Sequence, residues 1–214
     1  MSNFTCADCP VKPCCTHDLD KLPDFCPTRE TCDINNLQYY SEEELKMAKN
    51  SALTESAGYC HQTRLEETMA FAYRMGYKKL GVGFCGGFRA EAATLVKILR
   101  ENGFEVCAKV CKCGSLSKSA IGVKDEEQVR PGQFEPMCNP AAQAEHLNDE
   151  GTDFNILLGL CVGHDSLFIR HSKAPVTVLV SKDRALGHNP VAALYLSDAY
   201  LNRVHTFIKD EFES

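Results

Sequence analysis

Phe154-Asn155-Ile156-Leu157-Leu158-Gly159-Leu160-Cys161-Val162-Gly163-His164-Asp165 closes the most apolar run in a chain of 214 residues. Its first seven residues read as a short buried strand, because the run has strand length and turn residues bound it. The chain then turns at Gly163 and enters a helix predicted over 165–171. A cysteine and a histidine three residues apart thus stand where a strand hands over to a helix, the edge at which open α/β sheets bind ligands. Three other strand-like runs end in the same way. Residues 80–84 lead into Cys85-Gly86-Gly87, residues 104–110 into Cys111-Lys112-Cys113-Gly114, and residues 176–180 into Ser181-Lys182-Asp183-Arg184. Parallel strands would bring all four ends to one rim, and that rim is the expected working site. The predicted fold class is α/β: a four-stranded, doubly wound parallel sheet, Rossmann- or flavodoxin-like, in the strand order 2-1-3-4.

Composition narrows the partners. The apolar content of 44% suits an ordinary core, and no run approaches the ~20 apolar residues of a membrane span. The start, Met1-Ser-Asn-Phe-Thr-Cys6, has neither a basic segment nor an apolar one, so a secretory leader is not expected and the predicted location is cytoplasmic. The 23 basic residues face 29 acidic ones, for a net charge of −6, without a basic run. Nucleic acid and membrane are therefore not expected partners; a small molecule or a redox partner protein is. The oligomeric state is not legible. Thirteen cysteines in a chain for which no leader is expected point to metal or thiol chemistry rather than disulfides.

The first 36 residues form a predicted cysteine-rich metal-binding module, ahead of an α/β domain with leading helices over 37–214. Its expected ligands are Cys6, Cys9, Cys14 and Cys26, with Cys15 and Cys32 unassigned. Prolines at 10, 13, 23 and 27 break up regular structure, and so short a piece cannot bury a core of its own. Thiolate ligation would supply the missing folding energy. The spacing matches neither a zinc ribbon nor a ferredoxin loop, and a disordered tail with free thiols is the plain alternative.

Two helices should follow. Ser41-Glu-Glu-Glu44 and Thr63-Arg-Leu-Glu66 are capping boxes. The first helix would bury Leu45, Ala48, Ala52 and Leu53, and the second Leu65, Met69, Ala72 and Tyr73, with Gly76 as its stop. Cys60 and His61 read as an ordinary loop pair between them.

The core, over 78–182, carries the chemistry. Cys85 opens the predicted helix 88–100, where the terminus favours a thiolate. Gly81-x-Gly83-x-x-Gly86 matches a dinucleotide fingerprint, but its first two glycines lie inside the strand and no acidic residue ends the second strand. Nucleotide binding is therefore not expected. Cys111 and Cys113 close the second strand, and Cys138 precedes Asn139 and Pro140, an N-cap and first helical position. Cys107, within a strand, reads as core. The loop 114–137 could act as a lid, with Lys118 and Arg130 as its basic residues. Beyond the fourth strand, Lys182, Asp183, Arg184 and His188 are candidate substrate contacts, together with His164. Asn189 and Pro190 would start a last helix burying Val191, Leu194, Tyr195 and Leu201.

Cys6-Ala-Asp-Cys9, residues 63–67, Gly83-Phe-Cys85-Gly-Gly87, Cys111-Lys112, Met137-Cys138-Asn139-Pro140, residues 159–165 and the run from Val180 to Pro190 carry a resemblance. The sequence resembles a family of functionally uncharacterised, predicted metal-binding proteins of anaerobic archaea and bacteria. That resemblance implies metal binding, as iron–sulfur in an anaerobe, and no particular reaction. The expected rim centre uses Cys85, Cys111, Cys138 and Cys161, with Cys113 as a substitute ligand. Its expected cofactor is an iron–sulfur cluster, of the 4Fe-4S type, serving redox or sulfur metabolism; zinc is the alternative. A zinc enzyme of hydrolase type and a non-catalytic metal sensor or carrier remain the other function classes.

Overall fold

The computed structural model describes residues 6–9, 11–31 and 33–212. Cys32, Pro10 and the first five residues, on which several of the expectations above fall, lie outside that range. The chain divides into two compact units, Met1–Ala52 and Leu53–Ser214.

Ahead of Ser41 the described residues form short pieces: α1 (Pro13–Thr16), α2 (Thr28–Thr31) and 3-10 segments at Cys6–Asp8, Leu19–Lys21 and Ile34–Tyr39. Pro13 and Leu22 are buried. The Arg29 guanidinium ties the segment together by donating to the carbonyls of Leu22 and Pro23. The next helix, α3 (Glu42–Gly58), starts at the expected capping box. The Ser41 N–H donates to Glu44 Oε2 at 2.7 Å, and the Glu44 N–H donates back to Ser41 Oγ at 3.2 Å. The predicted buried stripe is corrected, however. Leu45, Ala48, Ala52 and Leu53 are exposed, and the buried residues of α3 are Thr54 and Gly58. A cap is settled within one turn, whereas burial depends on what packs against the helix.

The second unit runs α4 (Arg64–Met75), β1 (Lys79–Phe84), α5 (Arg89–Glu101), β2 (Glu105–Val110), α6 (Pro140–Asp149), β3 (Phe154–Leu158), α7 (His164–His171) and β4 (Val176–Val180). Short helices α8 (Val191–Tyr195) and α9 (Phe207–Phe212) follow. The four strands form a parallel sheet in the order β2-β1-β3-β4, as expected. Alternation along the strands divides the core into two layers. Leu80, Val82, Val106, Phe154, Ile156 and Leu158 meet Ala72 of α4 and Leu95 and Leu99 of α5. On the opposite face Leu157 meets Ala144 and Leu147 of α6 and Phe168 of α7. Leu80, Leu99 and Ile156 are fully buried and contribute about 2 kcal/mol each by the usual area relation.

Gly81 and Gly83 lie on the second face, inside β1. A Cβ at Gly81 would stand 1.9 Å from Asn155 Oδ1, and one at Gly83 would stand 2.7 Å from the Phe168 ring. These glycines admit α6 and α7 side chains to the sheet, so the fingerprint-like spacing has a packing cause. Asn155 is satisfied in place, accepting from Thr152 Oγ1 at 2.9 Å and donating to Ser172 Oγ at 2.8 Å.

Two further expectations are corrected. The helix expected after Pro190 is cut to α8, five residues long, and its Leu194 and Tyr195 are 73% and 80% exposed. Turns follow it directly, so no continuous apolar face forms. Cys107 is only half-buried, because β2 is an edge strand and its thiol lies 3.5 Å from Glu150 Oε2. Among the described residues no helix is long and apolar enough to cross a membrane.

Candidate functional site

Strand register builds the site. Phe84 of β1 pairs with Val110 of β2, so the next residues, Cys85 and Cys111, leave the sheet side by side. The Cys111 N–H donates to the Phe84 carbonyl at 2.8 Å, and the Cys85 N–H to the Leu158 carbonyl at 3.1 Å. Asn139 then delivers the third cysteine. Its N–H donates to the Cys111 carbonyl at 2.7 Å, while its Oδ1 caps α6 by accepting from the Ala142 N–H at 3.1 Å. Cys138 is thereby set against Cys111, with the two Sγ atoms 3.8 Å apart. Beneath them the buried Gln143 amide donates to the carbonyls of Phe84 and Lys109, bracing the ends of β1 and β2.

Cys111 stands between the other two thiols: its Sγ is 3.8 Å from Cys138 Sγ and accepts from the Gly86 N–H at 3.4 Å, next to Cys85. Cys111 keeps its proton: its bonds to Cys138 and Cys85, together with burial, push it far up. Its outer neighbours go the other way. The bond to Cys111 lowers Cys85 to about 4 against the cost of burial, helped by the Gly87 N–H and by Lys182. The bond to Cys111 likewise lowers Cys138 to about 5 against burial, with Lys112 and His164 adding to it. Cys85 and Cys138 are thus both drawn toward the thiolate form, with the one Cys111 proton serving one of them at a time, and all the described cysteines are free.

Cations surround the sulfurs. Lys182 Nζ lies 3.3 Å from Cys85 Sγ and 4.4 Å from the centre of the Phe88 ring. Arg184 donates to Cys161 Sγ at 3.4 Å, and that sulfur raises the guanidinium further. Asp183 and His188 shape the loop that carries these cations. Asp183 Oδ1 accepts from the N–H groups of Ala185 and Leu186 at 3.0 and 2.9 Å, and His188 Nδ1 accepts from the Asp183 N–H at 3.1 Å. The His188 ring also packs on Phe88, 4.6 Å between centres.

Of the sequence-predicted rim residues, Cys85, Cys111 and Cys138 are therefore linked directly. Cys161 stands at the same edge with Arg184 as its hydrogen-bond partner. Cys113 turns aside, its Sγ 3.7 Å from the Asn139 carbonyl, and burial pushes it up. Lys118 closes its own loop through Glu135 at 2.5 Å, and Met137 N–H to Leu116 carbonyl pins the loop ends at 2.7 Å. Cys60 and His61 are exposed between α3 and α4. In the first unit, burial raises Cys14, with its hydrogen bond to Cys15 and the nearby Cys26 adding to that, so Cys15 joins that group.

Three contributors escaped the sequence reading: Lys112, Gln143 and Phe88. Lys112 stands between two cysteines, which marks its place but not the direction of its side chain. Gln143 and Phe88 carry no sequence signal beyond their nearness to the two helix starts.

Among the described residues no three His, Cys, Asp or Glu side chains already stand so that they could hold a metal ion. The Cys111–Cys138 pair does meet the requirement for two ligands. Its 3.8 Å separation equals the ~3.8 Å edge of a tetrahedron with metal–sulfur bonds of ~2.3 Å. Cys85 would have to turn toward a shared centre.

Residues 26–179 match a family model described as a protein of unknown function, DUF1847. The uncharacterized protein MJ0455 of Methanocaldococcus jannaschii is 47% identical over 158 residues, 74% of this chain and 80% of that protein. Among solved structures, two of Dph2 from Pyrococcus horikoshii, one of them with a 4Fe-4S cluster, align with 64% of this chain. Identities are 19% and 20%, TM-scores are 0.35 and 0.31, and the chain spans about a third of that protein's length; so loose a likeness carries no argument about chemistry. The family match includes all four rim cysteines, and with the archaeal relative it shows that the chain belongs to the DUF1847 family of proteins of unknown function.

Proposed function

We propose that the protein binds a metal through its rim cysteines and acts there on a small molecule, in redox or sulfur chemistry. One observation carries the reading. Three thiols from three separate segments, at the ends of β1 and β2 and ahead of α6, meet without a disulfide. Cations and hydrogen bonds lower the outer two, Cys85 and Cys138, toward the thiolate, the form that binds metal. Reaching a common centre takes a change of side-chain rotamer at Cys85, which moves a cysteine sulfur by about 3 Å.

The occupant we put first is an iron–sulfur cluster on Cys85, Cys111, Cys138 and Cys161. Cys111 and Cys161 follow strands separated by β1, and two strand spacings are ~10 Å. A cluster bridges such a span more readily than one ion. The 3.8 Å contact of Cys111 with Cys138 favours a second occupant, a single zinc on Cys85, Cys111 and Cys138 with an open fourth position. Such a centre would supply either electrons or a Lewis-acid position. The protein's own residues do the rest: Lys112 and Lys182 balance thiolate charge, Phe88 shields the Lys182 side, and Gln143 holds the strand ends in place. We assign a further metal to the first unit, on Cys6, Cys9, Cys14 and Cys26. Free thiols at the described cysteines fit a reducing compartment.

The test is iron, zinc and acid-labile sulfide analysis with an absorption spectrum of anaerobically purified protein. Iron with matching sulfide, lost in Cys85→Ser, Cys111→Ser, Cys138→Ser and Cys161→Ser but kept in Cys107→Ser, is the expected result. Zinc without sulfide, insensitive to Cys161→Ser, would select the second occupant. Metal-free protein under these conditions would end the reading.

A further inference from the structure

We infer that the loop after β4 is an anion clamp, in which Lys182 and Arg184 hold a small oxyanion over the rim sulfurs. The inference rests on the metal-centre reading and names the substrate class of that site.

Loop geometry supports it first. Lys182 and Arg184 flank Asp183, and their cationic groups reach the sulfurs that follow neighbouring strands, Cys85 at 3.3 Å and Cys161 at 3.4 Å. Neither cation is left to wander. Asp183 turns its carboxylate into the loop, onto the N–H groups of Ala185 and Leu186, and His188 closes the same turn through the Asp183 N–H. The Phe88 face then fixes the Lys182 ammonium at 4.4 Å. A preformed pair of cations loses little entropy on binding an anion.

Charge supplies the second argument. The rim sulfurs face three cations, Lys112, Lys182 and Arg184. Metal binding draws charge off the sulfurs, so the cations gain capacity for an exogenous anion. The nearby carboxylates do not cancel them: Asp183 serves its loop, and Asp165 Oδ1 accepts from the Ser166 N–H at 2.8 Å.

Access is the third. Gly86, Gly87, Val162 and Gly163 are exposed around the rim. Gly87 matters because a Cβ there would stand 3.7 Å from Lys182 Nζ and 3.9 Å from Cys85 Sγ, on the open side of both. A glycine leaves that approach uncovered.

The experiment is titration of ¹⁵N-labelled full-length protein with sulfate, with chloride at matched ionic strength as control and metal content measured on each sample. Saturable shifts of the Gly87 and Gly163 amides and the Arg184 side-chain N–H are expected with sulfate and not with chloride. Arg184→Gln and Lys182→Gln should each weaken binding roughly tenfold or more, the loss typical of a charge-assisted contact, and Arg184→Lys should recover part of it. Arg130→Gln should change nothing. The same spectra report whether each variant is folded. Shifts that chloride reproduces, or affinity unchanged in both Gln variants, would overturn the clamp. Metal-loaded protein that ignores sulfate would remove the clamp and leave the centre; sulfate binding by metal-free protein would keep the clamp and remove the centre.

Discussion

At Cys111 a single buried thiol favours the thiolate form of the cysteine on either side of it, and its backbone ties β1, β2 and the start of α6 together. Gly159 shows how narrow the tolerances are around that point. Its φ of +66° lies in the left-handed region, and a Cβ there would meet the Phe88 ring at 2.2 Å. Phe88 in turn supports both Lys182 and His188. Gly159→Ala should therefore cost about 3 kcal/mol or more, combining backbone strain with a displaced buried ring. Chemical denaturation checks the cost. The same variant should also lose affinity for sulfate through the displaced Lys182, although the substituted residue touches neither cation nor sulfur.

Helix starts were the most legible elements, because their signals are local. The α4 capping box is complete: Thr63 Oγ1 accepts from the Glu66 N–H at 3.3 Å, and Glu66 Oε2 accepts from the Thr63 N–H at 2.7 Å. Those Thr63 bonds hold the Glu66 carboxyl below its ordinary value. Its folded pKa lies under its unfolded one, so its contribution to stability is full above the unfolded value of ~4.3. It is lost as pH falls through the lower, folded value. Melting curves of Glu66→Gln and the parent chain should differ at pH 7 and converge on acidification, once the Glu66 carboxyl is protonated in the folded state too; a difference that stays constant down the acid limb would rule out the charged cap as its cause. Other α4 contacts were not legible. Arg64 donates to the Val178 carbonyl at 2.8 Å and so covers part of the edge strand β4, a contact 114 positions away in sequence.

On the scale of the whole chain, the two compact units bear on how metal is distributed. The second has its own layered core, so a chain lacking residues 1–36 should fold and keep the rim metal while losing the rest. Metal analysis of that chain against the full one checks this, and either complete loss or no loss would contradict two separate sites. The amino-acid sequence by itself determined the four strands, their parallel order and the helix starts at Ser41, Thr63 and Asn139. Those arise from run length, alternation and capping chemistry, which act within a few residues. It also placed Cys85, Cys111 and Cys161 after strand ends and Cys138 ahead of a helix start, since a parallel sheet gathers the residues beyond its strand ends along one edge. Only the tertiary structure decided that Cys111 binds both Cys85 and Cys138 while Cys161 pairs with Arg184, because side-chain direction depends on register and on Asn139 pinning α6. Tertiary packing likewise decided that Gly81 and Gly83 admit Asn155 and Phe168, and that the stripes of α3 and α8 stay exposed. An apolar stripe becomes core only when another element covers it, and that partner is set by the fold as a whole.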